Sequence, residues 1–161
     1  MEEANRSARQ DPTPACLLMM DLDHFSDVNR RFGHTGGDEA LRAFAEVLRR
    51  NMRSTDIVAR YGGEEFCAYL AKTEIGEAVR IAERLRASAA ALSVELRGQA
   101  IGITVSIGVA RVRDGDLVAS VGAADEALYV AKDRGRNQVA VAPADAVTLA
   151  GSGKPRLRIV R

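Results

Sequence analysis

The sequence predicts an α/β domain: a central, mostly antiparallel sheet flanked by helices and related to the ferredoxin-like arrangement. Three observations predict it. Short apolar segments alternate with helical periodicity, in the order strand, helix, hairpin, helix, strand, helix, strand. Two extended runs meet at Gly62-Gly63, as in a β-hairpin. ITVSIGVARV, at 103–112, is rich in β-branched side chains, as in a central strand.

Residues 1–14 are polar and carry Pro12 and Pro14 as breakers, which reads as a linker or the end of an upstream helix. ACLLMM, at 15–20, is a short apolar run, as in a strand buried on both faces, and DLDHF follows it. Gly36-Gly37 is expected to precede an amphipathic helix, in which Leu41, Phe44, Leu48 and Met52 recur at helical spacing. DIVARY and EFCAYL form the arms of the hairpin. Ala78, Ile81, Ala82, Leu85 and Ala89 mark a second helix. Leu117, Val121, Ala124, Leu128 and Ala131 mark a third, which Gly135 terminates. QVAVA is a last short strand, so the domain runs over 15–142. The tail, 143–161, reads as mostly irregular, with RLRIV a candidate extended piece.

A chain of 161 residues is long enough for one domain with a sizeable core. A net charge of +1 gives no sign of a positive face, so neither nucleic acid nor direct membrane contact is expected. A sheet that binds RNA would display aromatics for stacking, and only 4% of this chain is aromatic, with no Trp. Cys16 and Cys67 lie in apolar runs, where they pack as small hydrophobes, and they define no disulfide framework. No apolar run approaches the roughly 20 residues of a membrane span, and no signal pattern opens the sequence. A cytoplasmic domain is expected, compatible with a membrane-anchored parent.

The chemistry concentrates in acidic residues. Asp21 and Asp23 follow the first strand, and residues two apart on an extended chain point the same way. If that strand adjoins the hairpin, Glu64 and Glu65 at the tip come close to them, and four carboxylates converge. Unit charges about 4 Å apart repel by roughly 4 kcal/mol at an effective dielectric near 20. Such a cluster needs protons or a hard cation, and carboxylate oxygens suit Mg²⁺ carrying substrate phosphates. A glycine pair beside it lets a nucleotide approach the backbone. The plainer alternative is a solvated acidic turn.

DLDHF, FGHTGGDEAL, RSTD, RYGGEEF, VSIGVA and ADEALYVAKDRGRN occur in this order. With them the chain resembles the GGDEF, or diguanylate cyclase, family from about residue 15 to residue 141; GGEEF is a variant of the family signature. The resemblance implies a fold like the catalytic core of adenylyl cyclases and the palm of polymerases. It implies that two GTP molecules condense to cyclic di-GMP with release of pyrophosphate, across a homodimer whose subunits each hold one GTP. It also implies two Mg²⁺ (or Mn²⁺) ions in each half of the active site. Asp21, Glu64 and the backbone carbonyl of Leu22 are the implied metal ligands, with Glu65 a less direct one and Glu64 also the base for the 3′-hydroxyl. Asp23 either supports that shell or hydrogen-bonds the turn. Asn29 and Asp38 would recognise guanine, with His34 on the substrate side; the alternative for the first two is helix capping. Lys132 and Arg136 match the pair that binds the triphosphate. Asp125, Tyr129, Lys132 and Arg136 step by three or four along the last helix. Arg60 and the backbone amides at Phe25 are further phosphate contacts.

Arg53 and Asp56 of RSTD match the family's inhibitory RxxD site for cyclic di-GMP, with Arg84 in support; the alternative is an exposed helix end. Two positions depart from the pattern. Ser26 stands where the family carries a lysine on the phosphates, and Arg30 where it carries an aspartate. The family's usual opening segment is also missing from 1–14. A catalytically weak domain that binds GTP or cyclic di-GMP as a regulatory module is therefore the alternative reading.

Overall fold

The computed structural model describes residues 13–143 and 158–159. The readings of 1–12 and of most of the tail lie outside the described residues. In chain order the elements are β1 (Cys16–Leu22), α1 (Phe25–Asn51), β2 (Ile57–Arg60), β3 (Glu65–Leu70), α2 (Ile75–Ala90), β4 (Ser93–Leu96), β5 (Gln99–Gly102), β6 (Val105–Arg111), α3 (Leu117–Asp133), β7 (Val139–Val141) and β8 (Arg158–Ile159).

All seven residues of β1 are buried, and that follows from its place. The sheet order is β7-β6-β1-β3-β2-β8. β1 pairs antiparallel with both β3 and β6. Its side chains alternate between two cores. Leu18, Met20 and Leu22 pack with Phe44 and Leu48 of α1 and with Ile81 and Leu85 of α2. Leu17 and Met19 pack with Cys67 and with Ala124 and Leu128 of α3. A strand covered on both faces has no polar side to show, which is why ACLLMM reads as a continuous apolar run. β6 and β7 run parallel, and α3 makes the crossover between them. The sheet is mostly antiparallel with helices on both faces, as the sequence predicts.

Three differences have local causes. The pair Gly36-Gly37 does not precede a helix but lies inside α1. The break falls earlier, at Gly33 (φ 71, ψ 179), and the chain re-enters the helix immediately. The β4–β5 hairpin is absent from the sequence reading. Its turn is Arg97-Gly98, with φ of 50 and 75, a less obvious signal than Asn-Gly. Arg136 does not continue the stripe on α3, because the helix ends at Asp133 and Gly135 (φ 114) turns the chain away.

α3 lies directly on β6 at Gly108. A Cβ there would sit 2.0 Å from the Ala124 carbonyl oxygen and 2.4 Å from the Leu128 amide nitrogen. Both neighbours are helix backbone and cannot rotate away. Gly108→Ala is expected to destabilise the domain by about 1–3 kcal/mol or more through overpacking. Urea denaturation of both proteins measures it.

Candidate functional site

The ends of β1 and β3 bring the acidic residues together. Asp21 stands directly opposite Glu65 in the β1–β3 ladder, so both side chains project on one face. By alternation that is the α3 face, which Asp21 shares with Met19 and Leu17. The hairpin tip is stitched to the end of β1, since the Leu22 amide donates to the Glu64 carbonyl at 3.3 Å. Arg60 steadies the turn by donating to the carbonyls of Gly62 and Gly63 at 3.1 and 2.6 Å. Its guanidinium, expected on phosphate, is thus engaged by the turn.

Lys132 of α3 reaches across, with Nζ 2.7 Å from Asp21 Oδ2. Burial nevertheless pushes the Asp21 carboxyl above its ordinary range; Lys132 opposes the shift, and the charges of Glu64 and Asp23 add to it. Burial also raises Glu65, followed by repulsion from Asp21 and Asp125. The Tyr61 phenol is raised by burial and then by Asp125 and Glu65. Asp125 and Tyr61 thus belong to this electrostatic group. The helical spacing of Asp125 to Lys132 was a visible signal for the first, and adjacency to the glycines was the signal for the second.

The expected convergence of four carboxylates needs correction. Asp23 is turned aside: it accepts from Thr104 Oγ1 and Ser106 Oγ, each at 2.7 Å, and from the Asn137 amide at 3.0 Å. Among the described residues no three of His, Cys, Asp and Glu are grouped to hold a metal by themselves. The donors that remain, Asp21, Glu64, Glu65 and the Leu22 carbonyl, are all hard oxygens. That set suits a hard divalent cation, which typically takes one or two carboxylates and completes its shell with water and phosphates.

Beyond the strand ends, the two halves of α1 meet closely. A Cβ on Gly37 would lie 2.0 Å from Asn29 Oδ1, so only glycine lets the Asn29 amide rest there, next to Asp38. Asp38 lies inside α1, not at its end, which removes the capping alternative. Asp38, Leu41, Arg42, Arg60 and Phe66 line a depression of about 300 Å³. His34 is exposed just past the Gly33 break. Phe25 opens α1 behind His24, whose side chain makes no cap hydrogen bond. Ser26 is exposed beside them. Arg30 pairs with Asp27 at 2.7 Å, and Arg31 lies over the Phe32 ring at 5.1 Å. Arg136 follows α3 in a left-handed conformation, φ 65.

A second cluster sits at the other end of α1. The Arg53 amide donates to Asp56 Oδ2 at 2.9 Å. Among the described residues, Asp56 Oδ1 is buried with no hydrogen-bond partner. The Arg53 guanidinium pairs with Glu77 of α2, a residue with no motif signal of its own. Arg84 donates to Asn51 Oδ1 and to the Asn51 carbonyl, at 3.0 and 2.9 Å. Arg42, Arg49, Arg53, Ser54 and Asp56 line a cavity of about 560 Å³ beside them.

A central strand ending in carboxylates lies beside a Gly-Gly hairpin tip, with a kinked helix on the other side of the sheet. The family model described as "Diguanylate cyclase, GGDEF domain" matches residues 1–138, and the chain belongs to this family. The match begins at residue 1 and includes 1–14. Family members depend on a divalent metal. The chain is 40% identical over 134 residues to the diguanylate cyclase DosC of Escherichia coli, covering 82% of this chain and 29% of that protein. It is 43% identical over 130 residues to the response regulator PleD of Caulobacter vibrioides, covering 78% of this chain and 29% of that protein. The GGDEF domain of DgcB from Caulobacter crescentus, solved in complex with c-di-GMP, superposes with a TM-score of 0.78 at 32% identity, covering 86% of this chain and 84% of that one. The active GGEEF domain of a diguanylate cyclase from Vibrio cholerae gives 0.77 at 30% identity, covering 89% and 92%. Among the described residues no helix is long and apolar enough to cross a membrane.

Because burial, and then the charges of Asp21 and Asp125, hold Glu65 above the usual range, its ionised form costs the folded domain more than the unfolded chain. That cost is present at neutral pH and vanishes below about pH 4, where the group is protonated in both states. Glu65→Gln in the metal-free domain is therefore expected to raise the urea midpoint at pH 7, with the gain lost by pH 4. A lower midpoint at pH 7 would show that burial and repulsion do not make the ionised carboxylate costly.

Proposed function

We propose that this domain is a diguanylate cyclase that condenses two GTP molecules into cyclic di-GMP across a homodimer. The observation that carries the reading is the pairing of Asp21 with Glu65 at the strand ends, with Lys132 poised over Asp21. In each of two steps, a ribose 3′-oxygen forms a bond to the α-phosphorus of the other GTP. The bond from that phosphorus to the β-phosphate bridge breaks, and pyrophosphate leaves. Glu64 takes the 3′-hydroxyl proton.

Mg²⁺ (or Mn²⁺), two ions in each half-site, would supply charge neutralisation at the reacting phosphorus. Asp21, Glu64, Glu65 and the Leu22 carbonyl would hold them. Asn29 and Asp38 take the guanine, since a carboxylate accepts from both N1–H and the 2-amine, a donor pair adenine lacks. His34 lies on the same side. Lys132 exchanges Asp21 for the incoming triphosphate, joined by Arg136 and the amides at Phe25. Arg60 acts here by holding the glycine turn.

A weak or degenerate domain, binding GTP or cyclic di-GMP without efficient turnover, has one observation in its favour. Ser26 brings no charge, and its neighbours Arg30 and Arg31 are engaged by Asp27 and Phe32. Loss of one preorganised donor costs on the order of 10²–10³ in rate. Purified domain with GTP and Mg²⁺ decides between the readings. Cyclic di-GMP that accumulates and is lost in Glu64→Gln supports the enzyme; no product at high protein concentration supports the binding module.

The corner of Arg53, Asp56 and Arg84 is read as the product-binding inhibitory site. Asp56 Oδ1 is an acceptor waiting for donors such as the guanine N–H groups, and Arg53 can clamp a phosphate or base edge. Arg53→Ala is expected to abolish inhibition by added cyclic di-GMP while turnover continues. Progress curves with and without added product measure it, and inhibition that persists removes Arg53 from this role.

A further inference from the structure

Asp23 is 6% exposed and is the meeting point of three chain segments. Its Oδ1 accepts from Ser106 in β6, and its Oδ2 accepts from Thr104 just before β6. The same Oδ2 accepts the Asn137 amide, 114 residues further along the chain. Three donors converge on one group, which a carboxylate serves well because it only accepts.

The segment that Asp23 grips is in an uncommon conformation. Arg136 and Asn137 have φ of 65 and 46, directly after Gly135 at 114. Residues other than glycine seldom occupy the left-handed region, and they persist there when their surroundings impose it. The surroundings are identifiable. The Arg136 amide donates to the Ala131 carbonyl of α3 at 3.1 Å. The Asn137 side chain accepts from Arg86 Nη1 at 3.1 Å, and its amide goes to Asp23. The backbone is therefore pinned on both sides of Arg136: to a helix end before it, and to a buried carboxylate after it.

We propose that Asp23 is a positioning residue for Arg136. By holding the Asn137 amide it fixes the left-handed pair and presents the Arg136 guanidinium to the β- and γ-phosphates of a bound nucleoside triphosphate. The inference rests on the nucleotide-site reading above. Without the anchor, Arg136 returns to a wider range of conformations, and a preorganised contact is lost.

The test is binding of a non-hydrolysable GTP analogue and of GMP, with Mg²⁺, to the wild-type chain, Asp23→Ala, Arg136→Ala and the double variant. Each single variant is expected to weaken the analogue on the order of tenfold, as for loss of a charged hydrogen bond. GMP, which lacks the outer phosphates, should bind all four alike. The double variant should bind the analogue no more weakly than Arg136→Ala alone. Asp23→Asn should restore most of the affinity, since its amide oxygen still serves the Asn137 amide while the Ser106 hydroxyl rotates to accept. Independent additive losses, or equal weakening of GMP, overturn the proposal. If Asp23→Ala does not fold, hydrogen exchange on the wild-type chain decides. The Asn137 amide should be strongly protected, and exchange as fast as at an exposed turn overturns the proposal. If the wild type binds neither nucleotide, the substrate reading falls and takes this one with it. If the wild type binds the analogue and Asp23→Ala matches it, only the positioning role falls.

Discussion

The arrangement depends on a charge placed at the end of a doubly buried strand. β1 has apolar neighbours on both faces and antiparallel partners on both edges. Its direction is therefore fixed, and Asp21 emerges where the sheet stops and the chain must turn. Burial makes its ionised form costly, and Lys132 offsets that only in part. A group held in this balance favours an added cation or proton more than a solvated carboxylate does. The same registry sets Glu65 opposite Asp21, so the hairpin cannot slip by one residue without sending its carboxylate to the other face.

The two faces of the sheet divide the work. The α3 side carries Lys132, Asp125 and the paired carboxylates. The α1 and α2 side carries Asn29, Asp38 and, at the far end of α1, the corner of Arg53 and Arg84. Gly108 joins the two descriptions: it lets α3 lie on β6 backbone to backbone, and Lys132 stands one turn past that contact. A core packing constraint thereby sets the placement of a charge.

Much of this was legible in the residues. The fold followed from the order of apolar segments, because a strand buried on both faces and an amphipathic helix leave different periodicities. Asp21, Glu64 and Glu65 were legible because strand ends beside a Gly-Gly turn can be placed without coordinates. What was not legible depended on tertiary context. Asp23 looks the same in sequence as Asp21, and only the approach of Thr104, Ser106 and the Asn137 amide separates their fates. Gly36 and Gly37 read as a break because glycine disfavours helices; their close approach to Phe32 and Asn29 overrides that propensity. Arg136 left the helical stripe because Gly135 ends the helix first. The β4–β5 hairpin escaped because its strands are four residues each and its turn carries arginine at a positive φ.

The two native thiols carry a practical consequence. Cys16 and Cys67 are both buried and unpaired, and burial pushes Cys16 up to about 11 and raises Cys67 as well. Thiolate is then scarce near neutrality and shielded from reagents. Alkylating probes will pass over the native protein, so a single cysteine introduced on the exposed rim would carry a label without background. Spin or fluorophore distances between two copies could then be read in solution from a chain altered at one position only.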